Sequence, residues 1–168
     1  MHKILSILVR NHPGVLSHVA GLFTRRGYNI ESISAGETAD PKITRITIVT
    51  YGDAKVIEQV IKQIRKLIDV VKVQELTYED AVTRELLLLT IFVSMNRRPE
   101  VITVANTFGA TVADIADETM TLEFAGNNLK INNIVKALGN FKIKELARTG
   151  LVAIPLESKL EQNNGYHH

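Results

Sequence analysis

Residues 11–31 read NHPGVLSHVAGLFTRRGYNIE, and the reading of this stretch decides the fold. It follows an apolar strand, Ile4 to Val9, and runs into a second strand that begins near Asn29. Val15, Leu16, Val19, Ala20, Leu22 and Phe23 recur at helical spacing, so the run between is an amphipathic helix. Pro13 suits the first helical position, where its missing N–H has no intrahelical partner and its φ is already helical. That places Asn11 or His12 at the cap. Arg25 and Arg26 fall in the last turn, where cations favour the negative end of the helix dipole. Gly27 is the expected left-handed stop.

This local geometry has a chemical consequence. The N–H groups of Gly14, Val15 and Leu16 point out of the helix start without intrahelical partners, and such a start accommodates a carboxylate or small anion. Gly14 has no side chain to obstruct a ligand. Asn11 accepts from an ammonium or donates to a carboxylate. A Pro-Gly step that merely starts a helix, with Asn11 as its cap, explains the same spacing.

Outward from this stretch, Asn29 to Glu37 is a strand. Asp40 and Pro41 turn the chain, and Ile43 to Thr50 returns it. Gly52-Asp53 stops that strand and caps a helix. Val56, Ile57, Val60, Ile61, Ile64, Leu67 and Ile68 give this helix a wide apolar face. Asp69 breaks it, and Val70 to Leu76 is a fourth strand. The order βαββαβ is the ferredoxin-like plan, with both helices on one sheet face; if the other face is apolar, it needs cover. The polar run 77–84 reads as a linker. The plan then repeats, with strands at Glu85–Ser94, Thr111–Ala116, Thr119–Phe124 and Lys142–Ala147. Helices start at Pro99 and at Asn127 or Asn128, and Gly150–Ile154 is a last short strand. Ile4 aligns with Leu86 and Asp53 with Asn127, so the second copy is the shorter. It opens on Arg97-Arg98-Pro99-Glu100, without a glycine, so a ligand site like the first is not expected there. The expected organisation is an α+β chain of two tandem ferredoxin-like units: 1–76, linker 77–84, 85–156, and a disordered tail 157–168.

Composition narrows the function. The 168 residues are 45% apolar, enough for a core, and the net charge of +2 argues for neither nucleic acid nor membrane. No cysteine is present, so there is no disulfide, thiol nucleophile or thiolate metal site. The opening residues lack a signal-peptide layout, and the longest apolar run, Leu86 to Val93, is far short of a membrane span; the cytoplasm is the expected compartment. No phosphate loop, Ser-His-Asp set or His-Glu-x-x-His occurs. His12 and His18 are six apart, off one helical face and poor for sharing a metal. Asp114 and Asp117 read as a solvated hairpin pair, and Arg97-Arg98 as a solvated helix start. Neither a catalytic residue, a metal nor a cofactor is expected. RNA-binding domains of the same βαββαβ plan stack bases on aromatics of the central strands; Ile4–Val9 and Ile43–Thr50 carry none.

A strand, Asn-x-Pro-Gly-x-Leu, a helix, and then Arg26-Gly27-Tyr28-Asn29-Ile30-Glu31-Ser32 resembles the start of an ACT domain, and more narrowly the small regulatory subunit of acetolactate synthase. Further marks follow in order: Asp40-Pro41, Thr44-Arg45-Ile46-Thr47, Gly52-Asp53, Asp69-Val70, Arg84-Glu85 and Ala147-Arg148-Thr149-Gly150. The resemblance spans roughly residues 1–155; His12 and Pro13 depart from the acidic or polar residues usual there. It implies a non-catalytic subunit that dimerises through the first unit and senses valine or a related branched-chain amino acid. It also implies binding to the large thiamine-diphosphate-dependent catalytic subunit, which the chain activates and makes sensitive to feedback inhibition. Gly14, Val15 and Leu16 would grip the ligand's carboxylate, Asn11 and Asn29 its polar groups, and Ile30, Val15 and Leu16 its side chain. The resemblance places Asn29 on the neighbouring protomer; the sequence alone favours a strand-entry residue that tolerates positive φ after Gly27-Tyr28. An ACT-domain sensor acting on a different enzyme or on a transcription factor is the alternative.

Overall fold

The computed structural model describes residues 1–164. The chain divides into two compact units, residues 1–83 together with the stretch from Leu151 onward, and residues 84–150. The first unit runs β1 (His2–Arg10), α1 (Val15–Arg26), β2 (Ile30–Glu37), β3 (Ile43–Tyr51), α2 (Ala54–Arg65) and β4 (Val70–Leu76). Its sheet has the order β2-β3-β1-β4, with every neighbouring pair antiparallel. This is the ferredoxin-like arrangement expected from the hydrophobic periods.

Strand alternation sends every second residue to one face. Leu5, Ile7 and Val9 of β1 and Ile46 and Ile48 of β3 point to the helix side, where they pack on Val19 and Phe23 of α1 and Val60 and Ile64 of α2. Gly27 ends α1 at φ 69°, left-handed as expected. Asp53 caps α2, its Oδ1 accepting from the Val56 N–H at 2.9 Å. A side chain on the preceding Gly52 would meet Val56 at 2.9 Å, so the tight entry into α2 needs glycine.

The opposite face differs from expectation. Ile4, Val49 and Leu76 leave an apolar patch there, and it is covered by Ala81, Leu151 and Ala153. The last short strand expected over Gly150–Ile154 forms, but from Leu151 onward the chain groups with the first unit, while Gly150 stays with the second. The hydroxyls of Ser32 and Ser34 fix the returning chain: the Leu151 N–H donates to Ser32 Oγ at 2.8 Å, and Ser34 Oγ donates to the Leu151 carbonyl at 2.7 Å. Strand β9 (Val152–Pro155) follows.

The expected linker 77–84 is also structured. Tyr78–Asp80 forms a 3-10 turn, and β5 (Ala81–Phe92) begins directly after it. Thr77 Oγ1 donates to Asp80 Oδ2 at 2.7 Å and Lys159 Nζ donates to Asp80 Oδ1 at 3.0 Å. The Thr77 hydrogen bond, then Lys159, holds the Asp80 carboxyl below its usual range. Lys159 lies on α5 (Glu157–Asn164), so the expected disordered tail is helical over that span; residues 165–168 of that tail lie outside the described residues. With no apolar stripe in its sequence, α5 is tied at its start through Asp80, whose carbonyl accepts the Leu156 N–H at 2.9 Å.

In the second unit, α3 (Arg98–Phe108), β6 (Thr111–Ile115), β7 (Thr119–Gly126), α4 (Asn128–Ala137) and β8 (Ile143–Arg148) complete the repeat, with sheet order β6-β7-β5-β8. Asn127 caps α4 through the Lys130 N–H at 2.9 Å. Leu87, Leu89 and Ile91 pack on Met120, Leu122, Phe124, Val101 and Ile134. Glu85, only 6% exposed, is paired with Arg148 at 2.9 Å, and Arg148 also donates to Asn132. Arg98 is not a solvated helix start: its Nη2 donates to the carbonyls of Ala116 and Asp117. No helix among the described residues is long and apolar enough to cross a membrane.

Leu151 is 1% exposed, so Leu151→Ala should destabilise the first unit by about 2–5 kcal/mol through lost burial and a residual cavity. Urea unfolding followed by tyrosine absorbance checks this, because Tyr28, Tyr51 and Tyr78 all lie in the first unit. An unchanged midpoint would return the 151–155 run to the second unit.

Candidate functional site

β1 delivers the chain to Asn11, which the β2–β3 hairpin holds twice. Its N–H donates to the Lys42 carbonyl at 2.8 Å, and its side-chain Nδ2 donates to the Pro41 carbonyl at 3.2 Å. That bond uses one of the two Nδ2 hydrogens, and Oδ1, an acceptor, meets no donor among the described residues. The preceding Arg10 N–H donates to the Asp69 carbonyl at 2.8 Å, and His12 Nδ1 lies 3.1 Å from Asp69 Oδ1. These bonds fix the strand end of the short link between strand and helix.

The helix start differs in detail from the sequence reading. Pro13 is not the first helical residue, and neither Asn11 nor His12 is the cap. The Val15 N–H reaches the His12 carbonyl at 3.4 Å, and Gly14 has φ 84° and ψ −5°. Pro13 and Gly14 are thus the central residues of a type II turn, which requires positive φ at its second central position. Gly14 then serves as an N-cap with no side chain to offer, and α1 has no acidic residue in its first turn. The His18 N–H donates to the Gly14 carbonyl at 3.0 Å. Among the described residues, the N–H groups of Gly14, Leu16 and Ser17 meet no acceptor. The donors expected to face a ligand are therefore unconsumed, except that Val15 makes the long turn bond. A side chain added at Gly14 would meet nothing within 4 Å.

Beside this start is a cavity of about 390 Å³ between α1 and the segment that follows α2. Val15, His18 and Val19 form one wall, and Lys66, Leu67, Ile68, Asp69 and Val70 form the other. The i, i+3, i+4 spacing of Val15, His18 and Val19 on one helix face was legible. The contribution of 66–70 was not, because Asp69 signalled only the end of a helix. Leu16 is exposed and is not among the cavity's wall residues.

Asn11, Gly14, Val15 and Leu16 come together at one end of the first unit. Asn29 and Ile30 do not join them within one chain. They follow α1, whose twelve residues span about 18 Å. Asn29 is exposed with its carbonyl accepting from Thr50 Oγ1 at 2.7 Å, and Ile30 is half-buried against the core. The corresponding start in the second unit has no glycine and carries its own charges: Arg97 pairs with Glu100 at 3.2 Å and stacks 4.2 Å from the Phe141 ring centroid.

Two family models match the chain. One, described as an AHAS small subunit-like ACT domain, covers residues 5–72, and the other, described as the small subunit of acetolactate synthase, covers residues 84–157. A probable acetolactate synthase small subunit from Methanothermobacter thermautotrophicus is 46% identical, over 93% of this chain and 94% of its own. The acetolactate synthase isozyme 3 small subunit of Salmonella typhimurium is 41% identical, over 95% of this chain and 99% of its own. The crystal structure of the acetolactate synthase small subunit from Thermotoga maritima is similar with a TM-score of 0.87 at 36% identity, covering 93% of this chain and 98% of that one.

Gly14→Ala should lower stability by about 1–2 kcal/mol in chemical denaturation, the cost of a Cβ in the left-handed region, although space there is open. Gly36, equally uncrowded but without positive φ, is the control: Gly36→Ala should cost nothing measurable. Equal effects would mean that the turn does not hold Gly14 left-handed.

Proposed function

This chain belongs to the acetolactate synthase small-subunit family, and from that premise we propose that it is a valine-responsive regulator of the large, thiamine-diphosphate-dependent catalytic subunit. It raises that subunit's activity and subjects it to feedback by valine or a related branched-chain amino acid, in the cytoplasm. The observation that carries the ligand is the row of unconsumed N–H groups at Gly14, Leu16 and Ser17 beside Asn11 and an apolar cavity.

In this reading the carboxylate accepts from the α1 N–H groups, the ammonium donates to Asn11 Oδ1, and the branched side chain enters the cavity against Val15 and Leu67. Charge-assisted hydrogen bonds contribute about 1.5–3 kcal/mol each and burial of a small aliphatic side chain about 1.5–3 kcal/mol. Against an ordering cost of several kcal/mol, three such bonds leave affinity in roughly the millimolar-to-micromolar range suited to a metabolite.

The separation of Asn29 from Asn11 supports a dimer. β2 is an edge strand of the sheet. Its middle residue, Ile33, is 36% exposed and faces the helix side, opposite Ile48. Two β2 strands related by a two-fold axis at Ile33 extend the sheet antiparallel and bring two Ile33 side chains together. The partner's Asn29 then falls opposite Glu37, next to the hairpin that holds Asn11. Residue by residue, the ligand set is Asn11, Gly14, Val15 and Leu16 from one protomer with Asn29 and Ile30 from its partner. Valine controls activity only if it binds one conformation of this dimer better than another.

Chains carrying Asn11→Ala or Asn29→Ala should each activate the catalytic subunit yet show no valine inhibition. Mixing the two should restore partial inhibition, because a mixed dimer contains one site with both asparagines intact. Full valine sensitivity in both single variants would overturn the site, and a mixture that stays insensitive would overturn its two-chain construction. Ile33→Asp should yield monomers by light scattering, with valine inhibition lost as well.

A further inference from the structure

The face of the first sheet that turns away from α1 and α2 is only half covered. Leu151 and Ala153 lie over the Ile4–Val49–Leu76 end. The other end carries a row of cations. Leu5, Ile7 and Val9 serve the helix-side core, so Ser6, Leu8 and Arg10 point to the opposite face, where Leu8 is half-buried and Arg10 exposed. The register sets Arg45 beside Leu8 on one flank and Lys72 beside Leu8 on the other. Two strand spacings separate Arg45 from Lys72, about 10 Å, and Arg10 lies two residues further along β1.

Arg45 is half-buried and donates through Nη1 to Ser6 Oγ; Ser6 is itself 2% exposed. It lines a cavity of about 330 Å³ with Ser34, Thr38 and Thr47, and Glu37 is the one acid on the rim. Arg10 and Lys72 are exposed. Among the described residues, none of these three cations is in an ion pair, whereas Lys3, Lys62, Arg97, Arg148 and Lys159 each meet a carboxylate. A half-buried guanidinium held by a hydroxyl keeps most of its donor fork available to a carboxylate.

We propose that the Arg10–Arg45–Lys72 half-face docks an acidic segment of the catalytic subunit. The surface rests on the regulatory reading given above. Three cations without ion pairs among the described residues share one sheet face, Arg45 beside a cavity with hydroxyl walls; in a chain of net charge +2 they suit carboxylates on a protein surface. The face lacks the long basic stripe and stacking rings that nucleic acid requires.

The test uses the full chain with its catalytic subunit. In Arg10→Glu/Lys72→Glu, half-maximal activation should need roughly tenfold more chain or beyond, and the difference should shrink as salt rises from low to high. Dimer mass and valine binding to the isolated chain, by calorimetry, should match the wild type. Arg10→Ala/Lys72→Ala should fall between, and polyglutamate should compete with the catalytic subunit where polylysine does not. If the charge-reversed chain is folded and its activation curve superimposes on the wild type, the surface is overturned while the regulatory reading stands. Retention of the wild-type chain on RNA at moderate salt, lost in the variant with activation unaltered, also overturns it. A wild-type chain that fails to activate at all overturns the regulatory reading, and this surface with it.

Discussion

A left-handed glycine sets the character of the first unit. At φ 84° Gly14 closes a turn with Pro13, and α1 begins directly after it without a side-chain cap. An N-cap side chain is worth about 1 kcal/mol to a helix. Asp53 supplies one for α2 and Asn127 for α4. The start of α1 forgoes that contribution, and the helix is held instead by the burial of Val15, Val19, Leu22 and Phe23. A local rule broken without local compensation is the usual mark of a place kept open for something else. In the second unit α3 also starts without a side-chain cap, but with Pro99 and Glu100 in its first turn and no left-handed glycine before it.

Much of this was legible from periodicity and caps. The order of strands and helices, the Asp53 cap and the Gly27 stop all follow from short-range chemistry, and short-range chemistry is what a sequence displays directly. Pro13-Gly14 was legible in outline only. The dipeptide suits a helix start and a type II turn equally, and the φ of Gly14 distinguishes them. The run at 151–154 shows the opposite limit. Four residues with two buried apolar side chains carry no address, and their destination depends on a patch formed by Ile4, Val49 and Leu76 from three distant strands. The pairing of Glu85 with Arg148, 63 residues apart, was unreadable for the same reason. Asn29, by contrast, could have been separated from Asn11 by counting helical rise alone.

The returning chain changes how the first unit is understood. An open ferredoxin-like sheet has one face under its helices and one face bare. Here the bare face is divided: an apolar end sealed by the chain's own Leu151 and Ala153, and a hydrophilic end where half-buried Arg45 lies over the buried hydroxyl of Ser6 and Arg10 and Lys72 are exposed. Ser32 and Ser34 stand at the boundary, bonded to the Leu151 backbone. Sealing the apolar end satisfies the hydrophobic requirement for stability, and the charged heads of Arg10 and Lys72 stay in solvent.

β1 ties the two proposed surfaces together. Arg10 and Asn11 are consecutive, and alternation along the strand directs Arg10 to the face opposite the helices while Asn11 sits at the helix start. Both are pinned by backbone bonds, Arg10 to Asp69 and Asn11 to Lys42, each at 2.8 Å. A ligand that draws Asn11 toward α1 cannot do so without loading those bonds and, through Lys42, the hairpin leading into the strand that carries Arg45. Reciprocity then sets the terms of regulation. If an amino acid alters how the catalytic subunit is held, the held subunit must alter the affinity for the amino acid by the same factor. On the proposed reading that exchange passes through one strand end and one hairpin, with no need to remodel either core.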